Sequence, residues 1–319
     1  MPGPVTIVMY HYVRDLANSA YPRIKGLTVE RFRHQLAYIA RFYEVITMED
    51  LLAALGGEAE LPANAMLLTF DDGFIDHYET VTPMLQERGW QGSFFPCTRP
   101  LAEGRVLDVH KIHFVLATVD DPSRLLGELE DAVRHESDTV PVVDEVHRYD
   151  AASVTTFKRL LQRDLPRPLR ERLVDHFFQT YVTRDEAGFA RALYASTEQL
   201  REMQEAGMYL GCHGHAHAWL DRLASEELED ELTRALAIFE NAGLRMERWV
   251  MCYPYGGYVP ELAPAMRRHG AVAGLLAEPG IAAVASDDPF ALPRLDTNDL
   301  PQEPVADAVA WTRTILEGV

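Results

Sequence analysis

The sequence predicts an α/β fold: a (β/α) barrel of about seven parallel strands with a helical insertion. Short apolar segments alternate with amphipathic ones over residues 1–100 and again from about residue 196, as strands and crossover helices do. The number of strand signals, about seven, favours a closed barrel over an open sheet. The motifs with reactive side chains directly follow predicted strands, which is where barrel enzymes place their chemistry.

The first hundred residues contain four apolar segments that predict strands, at residues 5–9, 43–46, 65–70 and 91–95. Thr28 is a candidate N-cap for the helix that follows the first strand. Thr47 with Asp50 resembles a variant capping box for the next helix. A further helix is predicted over about residues 77–88, and Gly89 can end it.

The alternation resumes near Ser196, which forms a capping box with Gln199. Gly207 is expected to end that helix, and residues 208–211 predict a strand that leads into several histidines. A long amphipathic helix then ends near Gly243. The last clear signals are a strand, a helix and a strand, at residues 249–252, 260–269 and 271–276.

Residues from about 100 to 195 interrupt this pattern and are predicted to be mainly helical. We interpret them as an insertion between two barrel strands, within a single domain that covers residues 1–319. The insertion is expected to form a lid or a wall of the substrate site. The alternative is a dimerisation arm, so a homo-oligomer is possible.

The composition limits the classes of partner. With 49 Asp and Glu against 30 Lys and Arg, the net charge is -19, which argues against nucleic acid or an anionic membrane as partner. No apolar run of about 18 residues spans a membrane, and the N-terminus lacks the pattern of a secretory signal. The three cysteines form no even disulfide framework, so the expected location is cytoplasmic.

The segment Thr69-Phe70-Asp71-Asp72-Gly73 is the strongest functional signal. It ends a predicted buried strand with two adjacent carboxylates, which repel each other and are tolerated with a cation or a shared proton. The segment Cys212-His213-Gly214-His215-Ala216-His217 supplies imidazoles. His213 and His217 are four residues apart, on one helical turn or a tight loop, and His215 should point elsewhere.

One carboxylate with two imidazoles leaves an open position on a metal ion, which is the layout of a catalytic site. The other carboxylate is then available as a general base toward water. Zinc is the expected metal, and such a donor set also accepts cobalt, nickel or manganese.

The segment Tyr253-Pro254-Tyr255-Gly256-Gly257-Tyr258 is aromatic and rich in glycine. It predicts either a packed turn or a wall facing a sugar, with a backbone N–H that stabilises an oxyanion. Cys212 and Cys252 adjoin these motifs, and we interpret them as buried, inert thiols rather than ligands.

With these motifs the chain resembles the polysaccharide deacetylase (NodB-homology) family, also called carbohydrate esterase family 4. Residues 69–73, 213–217 and 252–256 resemble its first, second and third motifs. The resemblance covers most of residues 1–100 and 196–300. Residues 9–13 and 292–299 resemble a branch associated with bacterial surface-glycan gene clusters, whose members are thought to act on O-antigen or related sugars.

The resemblance implies a distorted barrel, a divalent metal and hydrolytic removal of acetyl groups from N-acetylated sugars. By position it makes Asp71 the general base, assigns the metal to Asp72, His213 and His217, and places the oxyanion hole at the backbone near Tyr255. The sugar can be free, nucleotide-linked, lipid-linked or polymeric. Two alternatives stay open: an amidohydrolase acting on a non-sugar or formylated amide, and a carbohydrate-binding protein that has lost turnover.

The chain departs from the family pattern in three places. Gly214 stands where the second motif usually has Ser or Thr, so a hydroxyl that braces the loop is missing and a looser site is expected. Cys252 stands where the third motif commonly has an Arg that pairs with the base, and Arg294 is the candidate that replaces this cation.

The third departure concerns the general acid, because the family's late catalytic His in a Leu-x-His context has no counterpart here. His11 is the favoured replacement because it follows the first predicted strand. His110 and His113 are the other candidates.

Overall fold

The computed structural model describes residues 3–136, 140, 141, 143 and 150–317. The chain separates into two compact units. The first consists of Met1–Arg14, Gly26–Glu103 and Arg191–Val319, and the second of Asp15–Lys25 and Gly104–Ala190. The assignment of all 319 residues to one domain with an insertion stays a prediction.

The strands of the described residues all lie in the first unit. They are β1 (Pro4–Tyr10), β2 (Val13–Arg14), β3 (Leu27–Thr28), β4 (Glu44–Val45), β5 (Ala65–Asp72), β6 (Ser93–Pro96), β7 (Tyr209–Leu210), β8 (Val250–Cys252), β9 (Ala273–Leu275), β10 (Ala282–Ala283) and β11 (Leu295–Asp296).

The parallel strand pairings in the first unit form a closed series that begins and ends at β1. β1 pairs with β5, β5 with β6, and β6 with β7. A parallel bridge from Cys212 to Met251 leads to β8, which pairs with β9. A second bridge joins Leu275 to Leu292, and β11 then pairs with β1. These pairings close a barrel of parallel strands, so the predicted fold class is confirmed. β10 is antiparallel to β1.

Helices connect the barrel strands in the first unit. They are α1 (Val29–Phe42), α2 (Met48–Leu55), a π-helix (His77–Val81) that continues into α3 (Thr82–Gln86), α4 (Arg99–Glu103), α10 (Thr197–Glu205), α11 (Ser225–Asn241), α12 (Ala263–Arg268) and α13 (Ala310–Glu317). Short 3-10 helices lie at Leu220–Arg222, Pro254–Gly256, Pro260–Leu262 and Thr297–Asp299. The numbers α5 to α9 belong to the helices between α4 and α10.

The second unit is helical in its described residues and contains α5 (Asp108–Thr118), α6 (Pro122–Glu136), α7 (Ala152–Arg159) with a π-helix (Leu160–Asp164), α8 (Arg167–Tyr181) and most of α9 (Glu186–Leu193). Its core holds one buried cation, Lys111, whose ammonium lies 2.9 Å from the Glu186 carboxylate and also contacts Asp175. Part of the predicted insertion falls outside the described residues.

The helix starts follow the predicted caps. The Thr28 side chain accepts a hydrogen bond from the N–H of Arg31 at the start of α1. The Thr47 and Ser196 capping boxes are both formed, with Asp50 and Gln199 as their third-position partners. Each cap satisfies N–H groups that a helix start leaves without a partner. These three predictions are confirmed.

Both faces of the barrel strands are buried. On β5 alternate side chains enter different clusters: Met66 and Leu68 pack with helices α1, α10 and α11, whereas Leu67 packs with Val250 of β8 and with Leu292. Successive side chains of a strand point to opposite faces, so Thr69 and Asp71 follow Leu67 toward the barrel interior. Among the described residues, none of the helices combines the length and apolarity needed to cross a bilayer.

Candidate functional site

Asp71 lies at the carboxyl end of β5, inside the barrel, with 1% of its surface exposed. Cys252 ends β8, and Arg294 immediately precedes β11. Both side chains contact the Asp71 carboxylate. The Cys252 thiol donates to its two oxygens at 3.2 Å each, and the Arg294 guanidinium donates to them at 2.9 and 2.8 Å.

The Arg294 guanidinium is fully engaged. Besides its two bonds to Asp71, it donates to the carbonyl of Leu276 at 2.7 Å, the hydroxyl of Thr69 at 3.1 Å and the sulfur of Met9 at 3.1 Å. An arginine has five N–H donors, and here each has an acceptor. The structure therefore places Arg294 against the predicted base, as expected from the cation missing at Cys252. Its role in catalysis stays a prediction.

The Asp71 carboxylate is held in its ionised form. Burial alone would raise the pKa of this carboxyl, but electrostatic attraction to its neighbours, foremost the Arg294 guanidinium, outweighs it. Together with the hydrogen bonds from Arg294, this attraction lowers the pKa of Asp71 to about 2. Asp71 is thus a carboxylate, and a potential proton acceptor, at any physiological pH.

Asp72 and two histidines form the candidate metal centre. One oxygen of Asp72, Oδ1, lies 3.5 Å from Nε2 of His213 and 3.4 Å from Nε2 of His217. All three side chains are buried. Asp72 ends β5 at a φ of 78°, so its side chain leaves the alternation of the strand. The histidines lie on a loop after β7 rather than on a helix.

The hydrogen bonding of His213 indicates that a cation belongs at this place. Its Nδ1 lies 2.7 Å from the carbonyl oxygen of Cys252, and a carbonyl only accepts, so Nδ1 carries the proton. Burial lowers the pKa of His213, although Asp71 and Asp72 partly counteract this, which favours the neutral ring. Nε2 of His213 then presents a lone pair toward an oxygen of Asp72, and these two acceptors need a positive charge between them.

The donor separations also fit a metal ion. Ligands at about 2.0–2.1 Å from a tetrahedral zinc are about 3.4 Å apart, close to the two separations around Asp72. Other donors lie close by: Asp71, His213 and Cys252 have ligand atoms within 4.8 Å of one another, as do Asp72, Cys97 and His213. However, the Cys97 thiol donates to the carbonyl of His213 at 3.1 Å. Burial also raises the pKa of the Cys97 and Cys252 thiols, which disfavours the thiolate form that binds a metal. Asp72, His213 and His217 are therefore the better donor set.

His215 points away from the candidate metal centre, as expected. Its Nδ1 lies 3.0 Å from the hydroxyl of Thr98 and its Nε2 lies 3.4 Å from the Glu103 carboxylate. The backbone around it is held by Glu231, whose Oε1 accepts the N–H groups of His215 at 2.8 Å and Ala216 at 2.7 Å. The sequence analysis missed Glu231.

His11 follows β1 and lies beside the candidate base. Its Nε2 is 3.9 Å from Oδ2 of Asp71, and its side chain is partly exposed. Nε2 of His77 donates to the backbone carbonyl of His11 at 2.9 Å and so fixes this turn. Burial lowers the pKa of His77 to about 4, so this second histidine stays neutral. His77 was not singled out from the sequence.

The other two candidate acids, His110 and His113, belong to the second unit, where both are on α5 with ring centroids 6.0 Å apart. Within the first unit, His11 is the candidate that lies beside Asp71.

Tyr255 lies in the 3-10 helix Pro254–Gly256 at a φ of 59°. Its ring stacks on Trp219 at 4.5 Å with an interplanar angle of 8°, and it meets the ring of His217 edge-on, also at 4.5 Å. Tyr255 is thus adjacent to the candidate metal centre, and Trp219, which the sequence analysis missed, stacks on it. The sugar-facing wall stays a prediction. The oxyanion role of the backbone at Tyr255 stays a prediction.

Sequence comparisons identify a matching family model and a similar protein. Residues 173–274 match the family model described as polysaccharide deacetylase, a range that includes His213, His217 and Cys252. A stretch of 90 residues is 31% identical to the poly-beta-1,6-N-acetyl-D-glucosamine N-deacetylase of Escherichia coli (strain K12). That stretch covers 28% of this chain and 13% of the E. coli protein, so it spans only a small part of that relative's length.

Solved structures are similar in fold over nearly the whole chain. A Streptococcus pyogenes deacetylase, PplD, in complex with acetate has a TM-score of 0.57 and 16% identity, with 93% of both chains covered. IcaB from Ammonifex degensii has a TM-score of 0.56 and 15% identity, with 99% of this chain and 97% of that chain covered. At these identities the likeness is one of fold.

Proposed function

We propose that this chain, whose residues 173–274 match the polysaccharide deacetylase family model, hydrolyses the acetamido group of an N-acetylated sugar. The observation that carries this proposal is the pair of imidazole nitrogens at 3.4 and 3.5 Å from one oxygen of Asp72, next to the ionised carboxylate of Asp71. The similar E. coli protein is a poly-beta-1,6-N-acetyl-D-glucosamine N-deacetylase, which supports an N-acetylated glycan as substrate.

The donor set of Asp72, His213 and His217 would hold a divalent cation, and zinc suits imidazole and carboxylate ligands. Such a cation would polarise the acetyl carbonyl and make a water molecule more acidic. The backbone contact from Cys252 orients His213 for this role, as outer partners of ligating histidines commonly do.

Asp71 is the proposed general base. Its carboxylate accepts a proton from the water molecule whose oxygen adds to the acetyl carbon. The low pKa of Asp71 makes it a weak base, so the mechanism also requires a water molecule that gives up its proton readily. Arg294 and Cys252 hold the carboxylate in one orientation through bonds to both of its oxygens.

His11 is the proposed general acid. As the bond between the acetyl carbon and the nitrogen breaks, His11 gives a proton to the leaving amine, and acetate and a free amino sugar result. The backbone N–H near Tyr255 is proposed to stabilise the negative charge that forms on the acetyl oxygen. The stacked rings of Tyr255 and Trp219 offer an apolar face for the sugar ring.

The decisive experiment is acetate release from N-acetyl-glucosamine oligomers by the purified chain, with zinc and after chelation. Zinc-dependent acetate release supports the proposal. Release only from small non-sugar or formylated amides would favour the amidohydrolase alternative, and glycan binding without release would favour the binding-protein alternative. The binding-protein alternative draws on the missing Arg at position 252 and on the late His that has no counterpart here. The contact between Arg294 and Asp71 argues against the first of these two points only.

We further propose that the reaction serves the synthesis of a bacterial surface polysaccharide, since residues 9–13 and 292–299 resemble that branch of the family. The cytoplasmic location predicted from the cysteines stays a prediction, and the three thiols are free and buried in the described residues.

A further inference from the structure

We propose that Glu231 is the positioning residue of the histidine loop (residues 213–217) and that it sets the affinity of the candidate metal centre for a divalent cation. This inference rests on the proposed function for the purpose of the site. Glu231 lies on α11 with 8% of its surface exposed. Its Oε1 accepts two successive backbone N–H groups, those of His215 at 2.8 Å and Ala216 at 2.7 Å.

The rest of the loop backbone is held from another direction. Residues 96–99 make hydrogen bonds of 3.3, 3.1, 3.2 and 2.9 Å to the N–H of His213 and the carbonyls of residues 213–215. None of these bonds reaches the N–H groups of His215 and Ala216. Buried N–H groups without an acceptor are destabilising, and the Glu231 carboxylate supplies the acceptor for both.

Gly214 makes the approach of Glu231 possible. Its φ is 80°, a left-handed conformation that suits glycine, and a Cβ at this position would lie 2.9 Å from Oε1 of Glu231. A Ser or Thr side chain, which the resembled motif usually has here, would occupy the space of the carboxylate. Gly214 and Glu231 therefore act as a pair, and the carboxylate braces the loop where a hydroxyl is absent. These two hydrogen bonds argue against the looser site that was expected from the missing hydroxyl.

The brace matters because both ends of the loop carry metal donors. Nε2 of His213 and Nε2 of His217 approach the same oxygen of Asp72, and the two bonds from Glu231 fix the backbone midway between these histidines. Without the two bonds from Glu231, the distance between Nε2 of His213 and Nε2 of His217 can vary. Binding of the metal ion must then also order the loop. Outer partners of metal sites typically contribute about 10–100-fold in affinity.

Zinc affinity of the full chain, measured by competition with a chelator and without any sugar, tests the inference. We expect Glu231→Ala to weaken zinc binding about 10–100-fold. Glu231→Gln keeps an oxygen that can accept both N–H groups, so its affinity should stay within about threefold of the original. Glu240→Ala, an exposed change on the same helix, is the matched control and should leave the affinity unchanged.

Two results overturn the inference. One is an unchanged zinc affinity in Glu231→Ala. The other is an equal loss in Glu231→Gln and Glu231→Ala, because this would assign the effect to charge rather than to positioning. If Glu231→Ala does not fold, Glu231→Asp replaces it, since its shorter side chain cannot span the same distance.

Hydrogen exchange of the amides of His215 and Ala216 in the metal-free chain gives a second readout. These amides should exchange slowly in the original chain and in Glu231→Gln, and faster in Glu231→Asp, and equal rates in all three contradict the brace. The measurements involve no substrate. A failure to release acetate from any sugar would therefore contradict the proposed function alone, whereas an unaffected zinc affinity in Glu231→Ala contradicts this inference alone.

Discussion

Asp71 and Arg294 form a buried ion pair at the candidate site. Each is almost completely buried, and the guanidinium gives two of its five bonds to the carboxylate. Removing one partner of such a buried ion pair strongly destabilises the protein, because the remaining charge is left buried without an opposite charge. Substitutions at either residue therefore need a stability measurement beside the activity measurement.

At Asp71 we expect the substitution Asp71→Asn to reduce acetate release by about 10²–10⁴-fold, because an amide cannot accept the proton. Zinc binding should persist, since Asp72, His213 and His217 are unchanged. The comparison variant is Asp72→Asn, which should lose zinc binding as well. Acetate release at the original rate in a folded Asp71→Asn protein would show that Asp71 is not the base.

At Arg294 we expect the substitution Arg294→Met to shift the pH dependence of kcat/KM. In the original chain burial raises the pKa of Asp71, but Arg294 with its neighbours lowers it to about 2, so the base stays ionised well below neutral pH. Without the guanidinium the effect of burial dominates and the pKa rises. The acidic limb of the profile should move to higher pH, because a protonated Asp71 accepts no proton.

The control for this measurement is Arg33→Met, which removes an exposed cation from α1. Its profile should coincide with that of the original chain. An acidic limb that stays in place in Arg294→Met would mean that Arg294 does not tune the base.

Much of the site chemistry at the residue scale follows from the sequence, since adjacent carboxylates and closely spaced histidines can be read directly. Cys252 stands where the third motif commonly has an arginine that pairs with the base. Another cation was therefore expected at Asp71, and Arg294 was the candidate. The thiol contact from Cys252 to Asp71 was not predicted, because a buried cysteine has no sequence pattern that reveals its neighbours. One feature of the sequence could have indicated Glu231: it is an acidic residue between Leu228 and Leu232 on the apolar stripe of α11.

At the scale of elements, the turn after β5 decides where Asp72 points. Gly73 has a φ of 73°, and a Cβ at this position would lie 2.6 Å from Cβ of Pro96 on β6. The carbonyl of Gly73 also accepts the N–H of Ala195, just before α10. The turn is therefore fixed on two sides, and its close packing leaves no space for a side chain.

We expect Gly73→Ala to reduce both stability and zinc affinity. The left-handed conformation alone costs about 1–2 kcal/mol for a residue with a Cβ, and the contact with Pro96 adds to this and displaces Asp72. Gly89→Ala is the matched control, because its φ of 66° is similar and a Cβ there meets nothing within 4 Å. Chemical denaturation and zinc competition should show the larger loss in Gly73→Ala, and equal losses in both variants would contradict the argument.

Local patterns predicted most element types and their caps, and the exceptions have local causes. The helix expected over residues 77–88 begins as the π-helix His77–Val81. Pro83 lies within the first two residues of α3 and has no N–H for an intrahelical bond, while the N–H and the hydroxyl of Thr82 both bond to the carbonyl of His77. β1 and β5 are longer than predicted, whereas β7 (Tyr209–Leu210) is shorter, because the flanking Cys212 pairs only through a single bridge.

At the scale of the whole molecule, the metal should contribute to stability. Zinc at about 100 times its dissociation constant should raise the free energy of unfolding by about 2.7 kcal/mol. Chelation should therefore lower the Tm and abolish acetate release, and added zinc should restore both. Asp72→Ala lacks a ligand, and its Tm should not depend on zinc. A zinc-dependent Tm in Asp72→Ala would place the stabilising site elsewhere.

The closed barrel was predictable because the sequence patterns of strands and helices are local. The set of segments that make up the second unit was not predictable. Residues Asp15–Lys25 join that unit although they precede the predicted insertion by many residues. Arg23 donates to the carbonyl of Ala117 at 3.0 Å, and the ring of Tyr21 packs edge-on against Phe114. Contacts over such separations leave no periodic signal in the sequence.

The position of Arg294 in the chain has a consequence for biosynthesis. Asp71 leaves the ribosome 223 residues before the cation that neutralises it. A nascent chain that has not yet reached Arg294 cannot bury the Asp71 carboxylate against this cation. Premature termination before Arg294 would accordingly leave Asp71 without its cation, even though the proposed ligands Asp72, His213 and His217 had already been synthesised.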